Sequence, residues 1–240
     1  MYYVIDRQVN SYDCDCKNTL KLSAVLKFMQ QASSEQFASL GLPVEKLLKE
    51  GLAFLFSKIT VKIERMPVCN ETLHVGTALT MPKGARFMRE FIIEAPDGQR
   101  LISALSEWLL VNADDHKLLR PSSFLYPLTF QPEQLNALSD IAYQKNVTDK
   151  TLVYTQPICY SHIDVNHHVN NAVYADFICD ALPYETLKNN AIDNLSISFK
   201  KEALPGDILQ IYLSQQEKNN FYIEGAHDRG ICFSAFVHFA

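Results

Sequence analysis

The run Leu22-Ser23-Ala24-Val25-Leu26-Lys27-Phe28-Met29-Gln30-Gln31-Ala32, continued to Gly41-Leu42-Pro43, decides the fold. Leu22, Val25, Phe28, Met29, Ala32, Phe37 and Leu40 recur at mostly helical spacing, and Gly41 followed by Pro43 supplies a stop. The pattern then changes period. Over 54–63, Ile59, Val61 and Ile63 alternate with Lys58, Thr60, Lys62 and Glu64, as a half-buried strand does. Apolar, branched segments follow at 71–80, 86–94 and 101–111, the last two joined by Ala95-Pro96-Asp97-Gly98-Gln99, a hairpin signal. A long apolar helix ahead of an antiparallel meander buries both when the helix lies across the sheet face.

The same plan recurs downstream. A strand is expected over 152–160 and a helix over 171–182, stopped by Pro183. Strands follow at 194–200, 207–214, 221–227 and 231–239, separated by Leu204-Pro205-Gly206-Asp207, Glu217-Lys218-Asn219-Asn220 and Asp228-Arg229-Gly230. Between the two plans, Pro121, Pro127 and Pro132 and the polar run Gln144-Lys145-Asn146-Val147-Thr148-Asp149-Lys150 read as a crossing segment. The expected division is a module over 1–125, a linker over 126–150 and a second module over 151–240. No residue-level repeat is obvious. The shared order of elements nevertheless suggests duplication of an α+β unit.

Composition narrows the function. In 240 residues the formal charge is −5 and the pI near 5.8, which argues against a nucleic-acid binder. No apolar run has the length of a membrane span. The segment Met1-Tyr2-Tyr3-Val4-Ile5-Asp6-Arg7 lacks the basic-then-apolar order of a secretory signal, so the cytoplasm is the expected compartment. Cys14, Cys16, Cys69, Cys159, Cys179 and Cys232 are too scattered for a disulfide framework and are expected as reduced thiols.

The densest chemistry lies in Asp164-Val165-Asn166-His167-His168-Val169-Asn170-Asn171, directly ahead of the second helix. In an extended stretch, Asp164, Asn166 and His168 face one spot. A zinc reading of His162, Asp164 and His168 lacks a fourth ligand, so no metal is expected. Asn170 or Asn171 suits the helix N-cap, which sets the loop beside the positive end of the helix, where an oxyanion is stabilised. Cys179 falls among apolar helix positions and reads as core, while Cys159 is a weak nucleophile candidate. Strand alternation groups Glu202 with Ser196, Ser198 and Lys200, and by itself does not bring it to the site.

The stretch Asp164-x-Asn166-x-His168-Val169-Asn170-Asn171-x-x-Tyr174 resembles the signature of the acyl-acyl-carrier-protein (acyl-ACP) thioesterases, and Phe199-Lys200-Lys201-Glu202 resembles that family's aromatic-basic-basic-Glu segment. Arg86-Phe87-Met88-Arg89-Glu90-Phe91 and Ser106-Glu107-Trp108-Leu109-Leu110-Val111 are similar to its Arg-rich and Trp-containing strands. The resemblance implies a double hot-dog fold, each half a long helix wrapped by an antiparallel sheet. It also implies a catalytic set of Asp164, Asn166, His168 and Glu202, and release of fatty acid from the carrier. Asp13-Cys14-Asp15-Cys16-Lys17-Asn18 in the first half has no histidine, so that half is expected to shape the acyl pocket. Some members carry a cysteine after the glutamate. Here Ala203 stands there, so hydrolysis by activated water is expected, with Glu202 or His168 as base and without a cofactor. An acidic carrier protein would dock on basic residues, for which Lys83, Arg86, Arg89, Lys200 and Lys201 are the candidates. An acyl-CoA thioesterase, a hot-dog dehydratase and a non-catalytic acyl-binding module are the rival readings. Monomer and homodimer both fit.

Overall fold

The computed structural model describes residues 2–126, 128, 135, 137, 138, 140, 141 and 147–240. Its strands are β1 (Tyr3–Gln8), β2 (Leu52–Ile63), β3 (Thr72–Lys83), β4 (Arg86–Glu94), β5 (Arg100–Asn112), β6 (Thr151–Pro157), β7 (Ile192–Phe199), β8 (Ile208–Glu217), β9 (Asn220–His227) and β10 (Gly230–Phe239). They form one antiparallel sheet of ten strands in the order β1-β3-β4-β5-β2-β7-β10-β9-β8-β6. The two halves of that order follow the same path, and β2 joins β7 at the centre, with Lys58 opposite Ser198 and Lys62 opposite Asn194.

Helix α1 (Leu22–Ser39) lies on one face of this sheet, burying Leu22, Val25, Leu26, Met29 and Ala32. It ends in a Schellman motif. Gly41 takes φ +72°, its N–H donates to Ala38 O, and Leu42 N–H donates to Phe37 O, both at 2.9 Å. Helix α3 (Val173–Ala181) lies in the same core, burying Tyr174, Ala175, Phe177 and Ile178. This is the double hot-dog that the resemblance implies.

Three elements were absent from the expectation: β1, α2 (Val44–Lys49) and α4 (Tyr184–Asn189). Pro43 and Pro183 each stop one helix and also sit at the N-cap of the next, where a missing N–H costs nothing. Strand β1 is half exposed beside β3, and its weak burial pattern carries little periodic signal.

Within the expected linker, Pro127, Pro132, Gln144, Lys145 and Asn146 lie outside the described residues. Leu135 and Ala137 pack on Ala78 and Ile92, and Ile141 packs on Met88 and Leu105, so the chain crosses the sheet face opposite the helices. Buried Glu90 holds it there, its carboxylate accepting Leu135 N–H at 3.3 Å and Ala137 N–H at 3.2 Å. Arg100 Nη1 donates to Leu135 O at 2.9 Å. Glu90→Ala leaves two N–H groups without their acceptor and is expected to lower stability by about 1–3 kcal/mol in urea unfolding. An unchanged midpoint would show that the crossing is not anchored there.

Candidate active site

The loop ahead of α3 is a tight turn rather than the extended stretch expected from alternation. Ile163 bridges Val169, Asp164 N–H donates to His168 O at 3.0 Å, and His167 N–H donates to Asp164 O at 3.0 Å. His167 adopts φ +66°, which reverses the chain. The turn itself therefore brings Asp164, Asn166 and His168 together.

Asp164 is the organiser. Its carboxylate accepts Asn166 N–H at 2.8 Å and Asn166 Nδ2 at 3.4 Å, an Asx-type closure. His168 Nδ1 lies 3.9 Å from Asp164 Oδ1 and 3.3 Å from Val169 O. A carbonyl only accepts, so Nδ1 carries the proton and Nε2 presents its lone pair. Asn170 Oδ1 accepts Ala172 N–H at 2.8 Å and Asn170 O accepts Val173 N–H at 2.9 Å, which gives Asn170 the capping role. Those two donors are engaged by the cap, although the positive end of α3 still faces the loop.

Glu202 follows β7 in a loop, beyond the reach of strand parity. Val169 N–H donates to Ala203 O at 3.0 Å, which sets Glu202 beside the His168 segment. Tyr174 of α3 is hydrogen-bonded to the Ala203 backbone, and burial pushes its phenol pKa up. Two histidines overlooked in the sequence also meet Glu202. His227 Nδ1 accepts Arg229 N–H at 3.1 Å, so its Nε2 carries the proton and donates to Glu202 O at 3.2 Å. His116, from the turn after β5, places Nδ1 3.7 Å from Glu202 Oε1. The sequence around it, Asp114-Asp115-His116-Lys117, reads only as a polar turn.

The first half repeats the backbone bonds of this loop. Asp15 N–H donates to Thr19 O at 2.8 Å, Asn18 N–H to Asp15 O at 3.0 Å, and Leu20 N–H to Pro67 O at 2.8 Å. Lys17 N–H donates to Asp15 Oδ1 at 2.9 Å, and Asn18 takes φ +63°. Asp15, Lys17 and Thr19 thus stand where Asp164, Asn166 and His168 stand, and Met66 stands where Glu202 does. The first-half loop thus has no counterpart of the amide, the imidazole or the second acid. Lys17 Nζ instead donates to Leu187 O at 2.7 Å and Asn190 O at 3.1 Å, capping the end of α4.

Family models for the acyl-ACP thioesterase N-terminal domain and C-terminal domain match residues 3–122 and 141–230. The chain belongs to the acyl-ACP thioesterase family. It is 18% identical over 229 residues to oleoyl-acyl carrier protein thioesterase 2 of Arabidopsis thaliana, covering 88% of this chain and 62% of that one. It is 21% identical over 228 residues to the palmitoyl-acyl carrier protein thioesterase of Gossypium hirsutum, covering 88% and 54%. The chain thus spans between about half and three fifths of the length of these curated relatives. In fold it is similar to the 12:0-ACP thioesterase of Umbellularia californica, with TM-score 0.89, 18% identity and coverage of 100% and 97%. It is likewise similar to an acyl-ACP thioesterase of Bacteroides thetaiotaomicron, with TM-score 0.84, 20% identity and coverage of 100% and 98%.

Among the thiols, burial and the carboxylates of Asp176 and Asp180 push Cys179 up to about 12, which makes it inert at neutral pH. His162 caps the 3₁₀ turn Tyr160–His162, its Nδ1 accepting Cys159 N–H at 3.0 Å. No metal-binding group of three His, Cys, Asp or Glu occurs among the described residues. Of the docking candidates, Lys83, Lys200 and Lys201 are exposed, and Arg86 is half-buried against Glu107 at 3.2 Å. Arg89 is not available for docking. It is 1% exposed, on the helix side of β4, with Nη1 donating to Gln36 Oε1 at 2.5 Å and Thr77 Oγ1 at 2.9 Å.

The loop after β7 is braced by Asp207, as the loop after β2 is by Glu71. Partial burial raises the Asp207 pKa, but Arg229 and Leu204 N–H outweigh it and hold the carboxyl below its usual range. Glu71 is lowered by Arg65 first, and also accepts Val68 N–H. Depressed folded-state pKa values stabilise the fold above the unfolded values near 4, and that contribution is lost as pH falls through the folded values. Glu71→Gln combined with Asp207→Asn is therefore expected to melt below the wild type at pH 7, with the gap closing towards pH 3. A gap that persists at pH 3 would refute this linkage.

Proposed function

We propose that this chain hydrolyses fatty acyl-ACP thioesters, giving free fatty acid and carrier protein, within fatty acid biosynthesis. Glu202 is the water-activating base. It takes a proton as the water oxygen attacks the thioester carbon. The tetrahedral intermediate then expels the carrier thiolate, which recovers a proton. His168, its Nδ1 on Val169 O, orients the water through Nε2 or stands in as base. Asn166 uses one amide hydrogen on Asp164 and keeps the other for the substrate oxygen, beside the positive end of α3. Asp164 holds the turn on which both depend.

The observation that carries this reading is the single complete Asp164-Asn166-His168-Glu202 set, followed by buried Ala203 rather than a thiol. The first half, lacking the set, serves the acyl chain in this reading. Lys83, Arg86, Lys200 and Lys201 lie towards the same end of the sheet as Glu202, because β7 runs out at the level of Lys58, Glu107 and Met88, heading for the end at which β4 begins and β5 stops. We assign the acidic carrier to that end. All six cysteines are unpaired, which fits a reducing cytoplasm. No helix among the described residues is long and apolar enough to cross a membrane.

Fatty acid release from a panel of acyl-ACP and matched acyl-CoA thioesters tests the proposal. Faster release from the carrier is expected, with Glu202→Ala and His168→Ala each lowering kcat by about 10²–10⁴ while remaining folded. Near-normal turnover in both variants would sink the mechanism. Preference for CoA esters would make the protein an acyl-CoA thioesterase, and absence of release with tight binding would make it an acyl-binding module.

A further inference from the structure

Every side chain assigned to the chemistry comes from the second half, yet the Glu202 carboxylate faces a residue of the first. We propose that His116 is a positioning residue for Glu202, holding one carboxylate oxygen across the junction of the halves so that the other meets the water. This rests on the reading of Glu202 as the base.

Three observations support it. First, the Glu202 side chain is 38% exposed and sits in a loop, so its rotamers are free unless something holds them. Its backbone carbonyl is held by His227, and the His116 imidazole stands against its carboxylate, Nδ1 3.7 Å from Oε1. Contact through Oε1 leaves Oε2 for the proton transfer.

Second, His116 sits on a braced turn. Asn112 Oδ1 accepts the N–H groups of Asp114 at 2.9 Å and Asp115 at 3.2 Å, and Asn112 N–H donates to Lys117 O at 2.9 Å. His116 N–H returns to Asn112 O at 3.0 Å. The neighbouring charges are otherwise engaged: Lys117 Nζ holds Asp115 Oδ2 at 2.7 Å, and Lys201 Nζ holds the Arg229 carbonyl.

Third, His116 takes φ +54°, in the left-handed region, and this reversal of the chain accompanies the placing of its imidazole against Glu202.

The test is a double-mutant cycle on fatty acid release from acyl-ACP under single-turnover conditions. His116→Asn keeps a residue at ease in the left-handed region but shortens the reach, whereas His116→Gln carries the same amide donor at longer reach. His116→Asn is expected to lower kcat roughly ten- to a hundredfold with KM little changed, because misplacing a catalytic group by about 1 Å costs that much. His116→Gln should recover most of the rate. In the Glu202→Ala background, His116→Asn should have no further effect. Melting curves of the wild type and the four variants establish that the fold is retained.

An equal loss from His116→Asn in both backgrounds would overturn the proposal, because His116 would then act independently of Glu202. A rise in KM alone would overturn it in favour of carrier docking. Wild-type rates in His116→Asn, with Glu202→Ala inactive, would overturn it and leave the functional reading standing. No release by the wild type from any thioester would overturn the functional reading itself and the positioning role with it.

Discussion

The antiparallel pairing of β2 with β7 is the constraint on which the arrangement of this molecule depends. Residues 58–62 face residues 194–198 in reversed order, with Val61 opposite Leu195 and Thr60 Oγ1 3.2 Å from Ser196 Oγ. Because the two central strands run in opposite directions, the loops that follow them leave from opposite ends of the sheet. The loop after β7 carries Glu202, and the loop after β2 carries Met66. The same reversal ends the β7 pairing at Ser198 opposite Lys58 and points the chain beyond it towards the start of β2, which is paired with the end of β5. The turn holding His116 is thereby delivered to Glu202.

The likeness between the halves is carried by backbone hydrogen bonds rather than by side-chain identity. Val9 and Ile158 each donate to the acid that braces the following loop, at Glu71 O and Asp207 O, at 2.9 and 2.8 Å. Glu71 accepts Val68 N–H, and Asp207 accepts Leu204 N–H. Asn70 and Gly206 both take positive φ at the same step of this loop, at +66° and +90°. Such a scaffold tolerates exchange at any position whose side chain makes none of these bonds. Asn166 and Lys17 are such a pair, since the turn uses their N–H groups and leaves the side chains free to diverge.

This explains which features were legible in the sequence. The helix of α1 and the strand from Lys58 to Ile63 declared themselves by period, because each buries one continuous face. Asp164, Asn166 and His168 were legible as a cluster because one short turn holds them. Glu202 was not placed by parity, since β7 ends at Phe199 and the bond between Val169 and Ala203 does the placing. His116 left no signal, because its meaning lies in a contact with a residue 86 positions away (202 − 116) in the other half. Arg89 could have been read correctly. It shares parity with Phe87, Phe91 and Ile93 on β4, whereas a docking residue belongs at the strand end.

Each of the paired loops is braced by the half to which it does not belong. The first-half loop sends Lys17 to the carbonyls that end α4, where a cation is stabilised by the negative end of a helix. The second-half loop and its glutamate receive His116 from the turn after β5. A carboxamide at position 17 would forfeit the charge that suits α4, and a lysine at position 166 would lose the amide contact to Asp164. Divergence at these two positions therefore follows from what each side chain contacts. Both ends of the sheet thus carry a contact between the halves, Lys17 to α4 at one and His116 to Glu202 at the other.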